Sequence, residues 1–208
     1  MLTPEQFSGF LLAAMAITVA PGPDNLMVLG IGIAKGRWHG VAFGLGCALG
    51  CLTHTALAVL GVSALIAASP TAFAMLKIVG GLYLLWLGVQ ALRSTARVRV
   101  DGKVAGEPSL AGLFWRGMLA NAINPKVGLF FISFLPQFVI AGNGSVDMQM
   151  AALGLTFTAQ SVLIFGLLGF FAGTIGQWIN RRPSAGRWLD RFAGAIFVGL
   201  GIRLVVST

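Results

Sequence analysis

Two charged residues stand directly after prolines inside long apolar runs. Asp24 closes Pro21-Gly22-Pro23-Asp24 and Lys126 closes Asn124-Pro125-Lys126, 102 positions apart in a chain of 208. A carboxylate and an ammonium in apolar surroundings cost free energy, and such groups usually mark a substrate or proton path. Together they complement the two charges of a small zwitterion, and Asn25, Asn121 and Asn124 beside them add neutral hydrogen-bonding groups. Pro/Gly-broken apolar segments at matching places in two halves of a chain are the pattern of inverted-repeat transporters around their binding site.

The elements that must carry these residues are membrane helices. Hydrophobic residues make up 57% of the chain and charged ones 10%, and the mean hydropathy is +0.88, well above soluble domains. Six apolar stretches run at about 7–34, 40–68, 71–92, 113–141, 149–179 and 188–206, each long enough for a crossing of about 20 residues. The class is therefore all-α and polytopic, with helices 1 and 4 broken at proline. A single domain, 1–208, leaves no room for a soluble one. The start, Met1 to Phe7, lacks the basic residues of a signal peptide, so the first stretch reads as a retained helix.

A net charge of +8 would suit nucleic acid, but its distribution points to topology instead. Eleven of the fourteen basic residues, among them Lys35, Arg37, Arg93, Arg97, Arg99, Lys103, Arg116, Arg181, Arg182, Arg187 and Arg191, fall between or beside stretches one and two, three and four, and five and six. The positive-inside rule puts those loops in the cytoplasm and both termini outside it. No nucleic-acid partner is expected; the lipid bilayer is.

Three helices per half make the halves enter the membrane in opposite directions, as two three-helix inverted repeats: about 1–92 and about 113–208, joined by a cytoplasmic loop at about 93–112. Aligning 76–94 with 189–207 matches Leu76/Leu189, Gly81/Gly194, Leu87/Leu200, Gly88/Gly201 and Ser94/Ser207. That offset is 113, against 102 for the breaks, so an insertion lies between the fourth and sixth stretches. Gly40/Gly44, Gly46/Gly50 and Gly169/Gly173 have the spacing that lets helix backbones approach, and such faces would permit a homodimer.

At the first break two prolines remove two donors, and the carbonyls they free need partners inside protein or a wet cavity. Asp24 suits an N-cap of the second half-helix. At the second, Asn124 suits the N-cap and Pro125 the first helical position. Lys126 then opposes the dipole of its own half-helix, so Asp24, carbonyls of the broken first helix or a substrate carboxylate must compensate it. Helical rise puts both breaks about 14 to 16 Å from the cytoplasmic surface.

Other side chains suggest lesser roles. His54 could join Asp24 in a proton relay or bond a neighbouring helix; Gln160 and Ser161 read as interhelical hydrogen-bonders. Cys47, Cys51 and His54 share a helix face and give a competing reading, export of a divalent metal such as cadmium or zinc. The primary expectation is no metal and no cofactor. Catalysis is not expected: Cys47 and Cys51, one turn apart, have β-carbons about 5 to 6 Å apart, too far for a dithiol carrier's disulfide, and His39 and His54 sit in no triad motif.

The run Pro21-Gly22-Pro23-Asp24-Asn25, with Asn124-Pro125-Lys126 and Phe134-Leu135-Pro136-Gln137-Phe138, resembles the lysine-exporter (LysE) and RhtB family of bacterial amino-acid exporters. Chain length and six stretches agree. The resemblance implies efflux of amino acids or close derivatives across the inner membrane, driven by the proton motive force. Many relatives carry Asn where this chain has Asp24. The substrate would then bind between helices one and four, at Pro21, Gly22, Pro23, Asp24, Asn25, Asn121, Asn124, Pro125 and Lys126.

Overall fold

The computed structural model describes residues 2–93, 108–140, 142–181 and 183–206. All regular structure among them is helical. Proline sets many of the boundaries: α1 (Pro4–Val19), α2 (Pro23–Lys35), α5 (Pro70–Arg93), α7 (Pro125–Leu129) and α10 (Pro183–Val206) each begin on one. The first helical position needs no N–H and suits proline's fixed φ. Thr3 and Gln6 form a capping box ahead of α1. Between α2 and α3 (Arg37–Leu57), Gly36 turns the chain at φ 97°, a region that favours glycine.

A π-helical turn, Ala58–Val62, joins α3 to α4 (Ser63–Ala68). After α6 (Leu110–Ala122), α7 runs into a π turn, Phe130–Phe134, and a 3-10 turn, Leu135–Phe138. α8 (Val146–Phe170) and α9 (Ala172–Arg181) precede α10. Both expected breaks are present, bending α1 against α2 by 55° and α6 against the Pro125–Phe138 segment by 49°.

By length and composition three helical segments can cross a membrane, or up to five if each bent pair counts as one span. The C-terminal helix is not among them; it carries Arg187, Asp190, Arg191 and Arg203. The fifth apolar stretch is not one helix either, because the chain leaves α-geometry at Phe171 and restarts as α9. The linker ends sooner than expected: Ser109 caps α6, its Oγ accepting from Gly112 N. The linker's remainder, with Arg97, Arg99 and Lys103, lies outside the described residues, as do Arg182, Ser94 and Ser207.

Glycine faces hold the helices together inside the chain. A β-carbon added to Gly81 on α5 would lie 3.1 Å from the Gly201 carbonyl oxygen on α10, and one added to Gly201 would lie 2.8 Å from that of Gly81. Gly88 and Gly194 face each other in the same way, at 2.9 and 2.8 Å. A shift of 113 residues carries Gly81 to Gly194 and Gly88 to Gly201, so the two contacts exchange under the offset found in the sequence. α3 and α8 behave alike: a shift of 114 carries the Gly40–Gly169 contact onto Gly154–Thr55. Gly40, Gly44, Gly46, Gly50 and Gly169 all press on other helices of the same chain and do not present the homodimer face expected of them, whereas Gly173 faces open space.

Aromatic and amide side chains tie α1 to the far part of the second broken segment. Phe10, Phe130, Phe134 and Phe138 stack with ring centroids 5.0 to 6.1 Å apart. Beside them Gln6 Nε2 donates to Gln149 Oε1 at 2.9 Å and to the Phe138 carbonyl, and Gln149 bonds both backbone groups of Ile140.

Candidate functional site

The two breaks meet, and each charge takes its partner from the opposite break. Beyond Val19 the chain turns at Ala20, whose carbonyl lies past the last turn of α1 and is left without a helical donor because the extended Gly22 carries the following N–H groups out of register. Lys126 Nζ donates to that Ala20 oxygen at 2.9 Å. Gly22 makes the approach possible: a β-carbon there would stand 2.9 Å from the ammonium nitrogen. The Thr18 carbonyl, also freed, accepts from Asn25 Nδ2 at 2.9 Å. Asp24 Oδ2 accepts from Asn121 Nδ2 at 2.8 Å.

Asp24 and Lys126 are both buried, at 4% and 9% exposure, yet among the described residues no ion pair joins them. The compensation of Lys126 thus comes from a broken-helix carbonyl, one of the three candidates the sequence left open. The capping reading of Asp24 does not hold. Gly22 is the N-cap of α2 with no side-chain cap bond, and Asp24 sits in the first turn, where its charge still suits the dipole. Asn124 does cap α7, accepting from Lys126 N at 3.0 Å, and Pro125 follows at the first helical position.

Asn121 is the hub. It is wholly buried, and besides bonding Asp24 its Oδ1 accepts from Cys51 Sγ at 3.4 Å. Its carbonyl accepts from Asn124 N and lies 2.9 Å from His54 Nε2. A carbonyl only accepts, so that imidazole nitrogen carries the proton. Gly50 makes room for the hub, since a β-carbon there would be 2.8 Å from Asn121 Cβ. His54 is therefore bonded across helices and separated from Asp24 by one asparagine. In the sequence Asn121 reads only as a neutral hydrogen-bonding group beside the break; one buried asparagine among apolar residues does not announce four bonds.

The competing metal set does not assemble. Among the described residues no three His, Cys, Asp or Glu side chains gather as a metal site; Cys51 and His54 both turn to Asn121. Gln160 bonds across helices as read, its Nε2 donating to Thr18 Oγ1 at 2.9 Å, and to Ser161 Oγ on its own helix at 2.8 Å.

Two spaces flank the meeting point, and Lys126 lines both. The smaller is a crevice with Asp24, Asn25, Asn121 and Cys51 in its walls and room for about one water molecule, about 10 Å³. The larger is a cavity of about 340 Å³ bounded by Pro21, Gly22, Pro23, Asn124 and Pro125 on one side and by α5 and α10 on the other. Tyr83 and Gln90 of α5 and Asp190 of α10 reach it. None of these three was singled out in the sequence. They lie more than 30 residues from either break, and only the α5–α10 pairing brings them there.

A family model for LysE type translocators matches residues 15–208. A membrane protein of Pseudomonas aeruginosa with no established function is 32% identical over 97% of this chain and 95% of its own. The leucine efflux protein of Klebsiella pneumoniae is 30% identical, covering 94% and 92%. The threonine efflux protein of Escherichia coli is 29% identical, covering 95% and 98%. No solved structure matches the chain. Broken apolar helices, buried charges at their junction and a family match over nearly the whole length agree, and the chain belongs to the LysE type translocator family, as a multi-pass membrane transporter and not an enzyme.

Proposed function

We propose that this protein exports amino acids or close derivatives from the cytoplasm across the bacterial inner membrane, as a secondary transporter driven by the proton motive force. The observation that carries the reading is the buried Lys126 ammonium, bonded to a carbonyl of the opposite broken helix and lining a cavity large enough for a small solute. A concave space of this size with a few convergent polar groups is the usual form of a small-molecule site. The names of the leucine and threonine efflux relatives support the same class of substrate.

In this reading the chain is a single domain of six spans in two inverted repeats, about 1–92 and 113–208, with both termini outside the cytoplasm. The exchanging glycine contacts support the repeat. Rocking of one repeat against the other exposes the breaks alternately to each side. Pro21, Gly22, Pro23, Asn124 and Pro125 shape the breaks, Lys126 takes the substrate carboxylate, and Asn25 and Asn121 hold the half-helices. Asp24, in a crevice with room for water alone, is the proton site, with His54 beyond Asn121 as its relay. A homodimer would form on surfaces other than the internal glycine faces.

Everted membrane vesicles test this. A proton gradient, acid inside, drives accumulation of radiolabelled leucine or threonine, and a protonophore abolishes it. Asp24→Asn keeps exchange of the amino acid across the membrane but loses gradient-driven accumulation. Uptake that ignores the gradient, or an Asp24→Asn variant that accumulates like the wild type, refutes the coupling.

A further inference from the structure

Lys126 forms the wall between two compartments of opposite character. On one side Asp24 already accepts the Asn121 amide, in a space that admits about one water. On the other side the cavity of about 340 Å³ lies within the range of small-molecule pockets, and Asp24 is not in its lining. The acid that does reach this cavity is Asp190, half-buried on α10 and without a hydrogen-bond or ion-pair partner among the described residues. Its place is not dictated by the repeat, since the 113-residue shift relates it to Lys77.

Building on the export reading, we propose that the substrate occupies this larger cavity, with its carboxylate on Lys126 and its ammonium on Asp190, and that Asp190 is a specificity-determining residue for neutral amino acids. One base and one acid cancel the charges of a zwitterion. Among the described residues nothing else charged lines the space, so a second ammonium on a dibasic substrate finds no partner there. Leu87 and Phe197 supply an apolar wall, with Tyr83 and Gln90 as further polar groups. An apolar or small hydroxylated side chain fits that lining. The cavity extends from the breaks toward the end where α5 finishes and α10 begins, the end bearing Arg93, Arg187 and Arg191.

The test uses the purified full-length protein in proteoliposomes, with leucine as the transported probe. Two competitors each lack one charge: 4-methylpentanoate has no ammonium and 3-methylbutylamine no carboxylate. In the wild type both compete far more weakly than unlabelled leucine. Asp190→Asn raises the half-saturating leucine concentration at least about tenfold and leaves inhibition by 4-methylpentanoate unchanged, so the preference for the zwitterion is lost. Asp190→Glu retains it. A merely structural role weakens leucine and 4-methylpentanoate by the same factor, and that outcome, or no change in either, overturns the assignment. Leu87→Trp is the second variant: it fills the cavity and lowers leucine transport more than alanine transport, and an equal loss of both counts against the cavity. If the wild type moves neither leucine nor threonine, the export reading and this inference fall together; a transporting wild type with an indifferent Asp190 sinks only the inference.

Discussion

The two breaks share their ingredients, prolines and asparagines between half-helices, but they are seated differently. α6, leading into the second break, lies backbone to backbone against α3. Gly46 faces the Phe114 carbonyl, Gly50 the Met118 carbonyl, and Gly117 the Phe43 carbonyl. α1, leading into the first break, meets α8 through side chains, with Gln160 bonding Thr18. At the positions that a shift of 114 relates to Gly46 and Gly50, α8 carries Gln160 and Ile164. The second break is thus fixed by direct backbone packing, which side chains cannot relax. The first is held by hydrogen bonds that can be exchanged, and one polar atom there, Gln160 Oε1, is buried without a partner.

The largest expected effect removes the group that joins the breaks. Lys126→Ala takes away both the donor to Ala20 and the cation lining the cavity, and lowers transport about a hundredfold, the upper range for a charged hydrogen bond. Vesicle uptake measures it; a variant within threefold of wild type would dissolve the distinction between the breaks. Next comes the seat of α6. Gly46→Ala pushes a methyl into the Phe114 carbonyl and costs about 1 to 3 kcal/mol by overpacking, read as a lowered melting temperature in detergent, whereas Gly173→Ala, facing open space, is neutral or stabilising. The smallest is at the seat of α1. Gln160→Leu loses the Thr18 bond but also removes the unpartnered oxygen, so stability changes by less than about 1 kcal/mol. A large loss there would show the first break to be as firmly anchored as the second.

The residues at the breaks were legible because proline and charge are costly inside apolar helices and stand out against the background. The cap at Asn124, the proline starts and the partner class of Lys126 follow from the chemistry of single residues and their neighbours. Asp24 reads as a cap in the sequence because a carboxylate beside the break suits a helix start; the extended Gly22 takes that position instead, and Asp24 stands two positions further in, within the first turn. The split of the fifth stretch at Phe171 carries no proline to announce it. The glycine faces were legible as packing surfaces, but spacing alone does not say whether the partner helix belongs to the same chain.

By itself the sequence determined that this is a polytopic helical protein with two proline-broken segments, a buried acid, a buried base and a family motif around them. Those are consequences of composition and local backbone chemistry, which need no knowledge of distant residues. Only the tertiary structure decided that the acid and base do not pair, that Asn121 joins acid, thiol and imidazole, and that Lys126 divides a water-sized crevice from a solute-sized cavity reached by Asp190. These depend on which glycine faces meet, and a contact between residues more than 60 positions apart is set by packing geometry that no local pattern encodes.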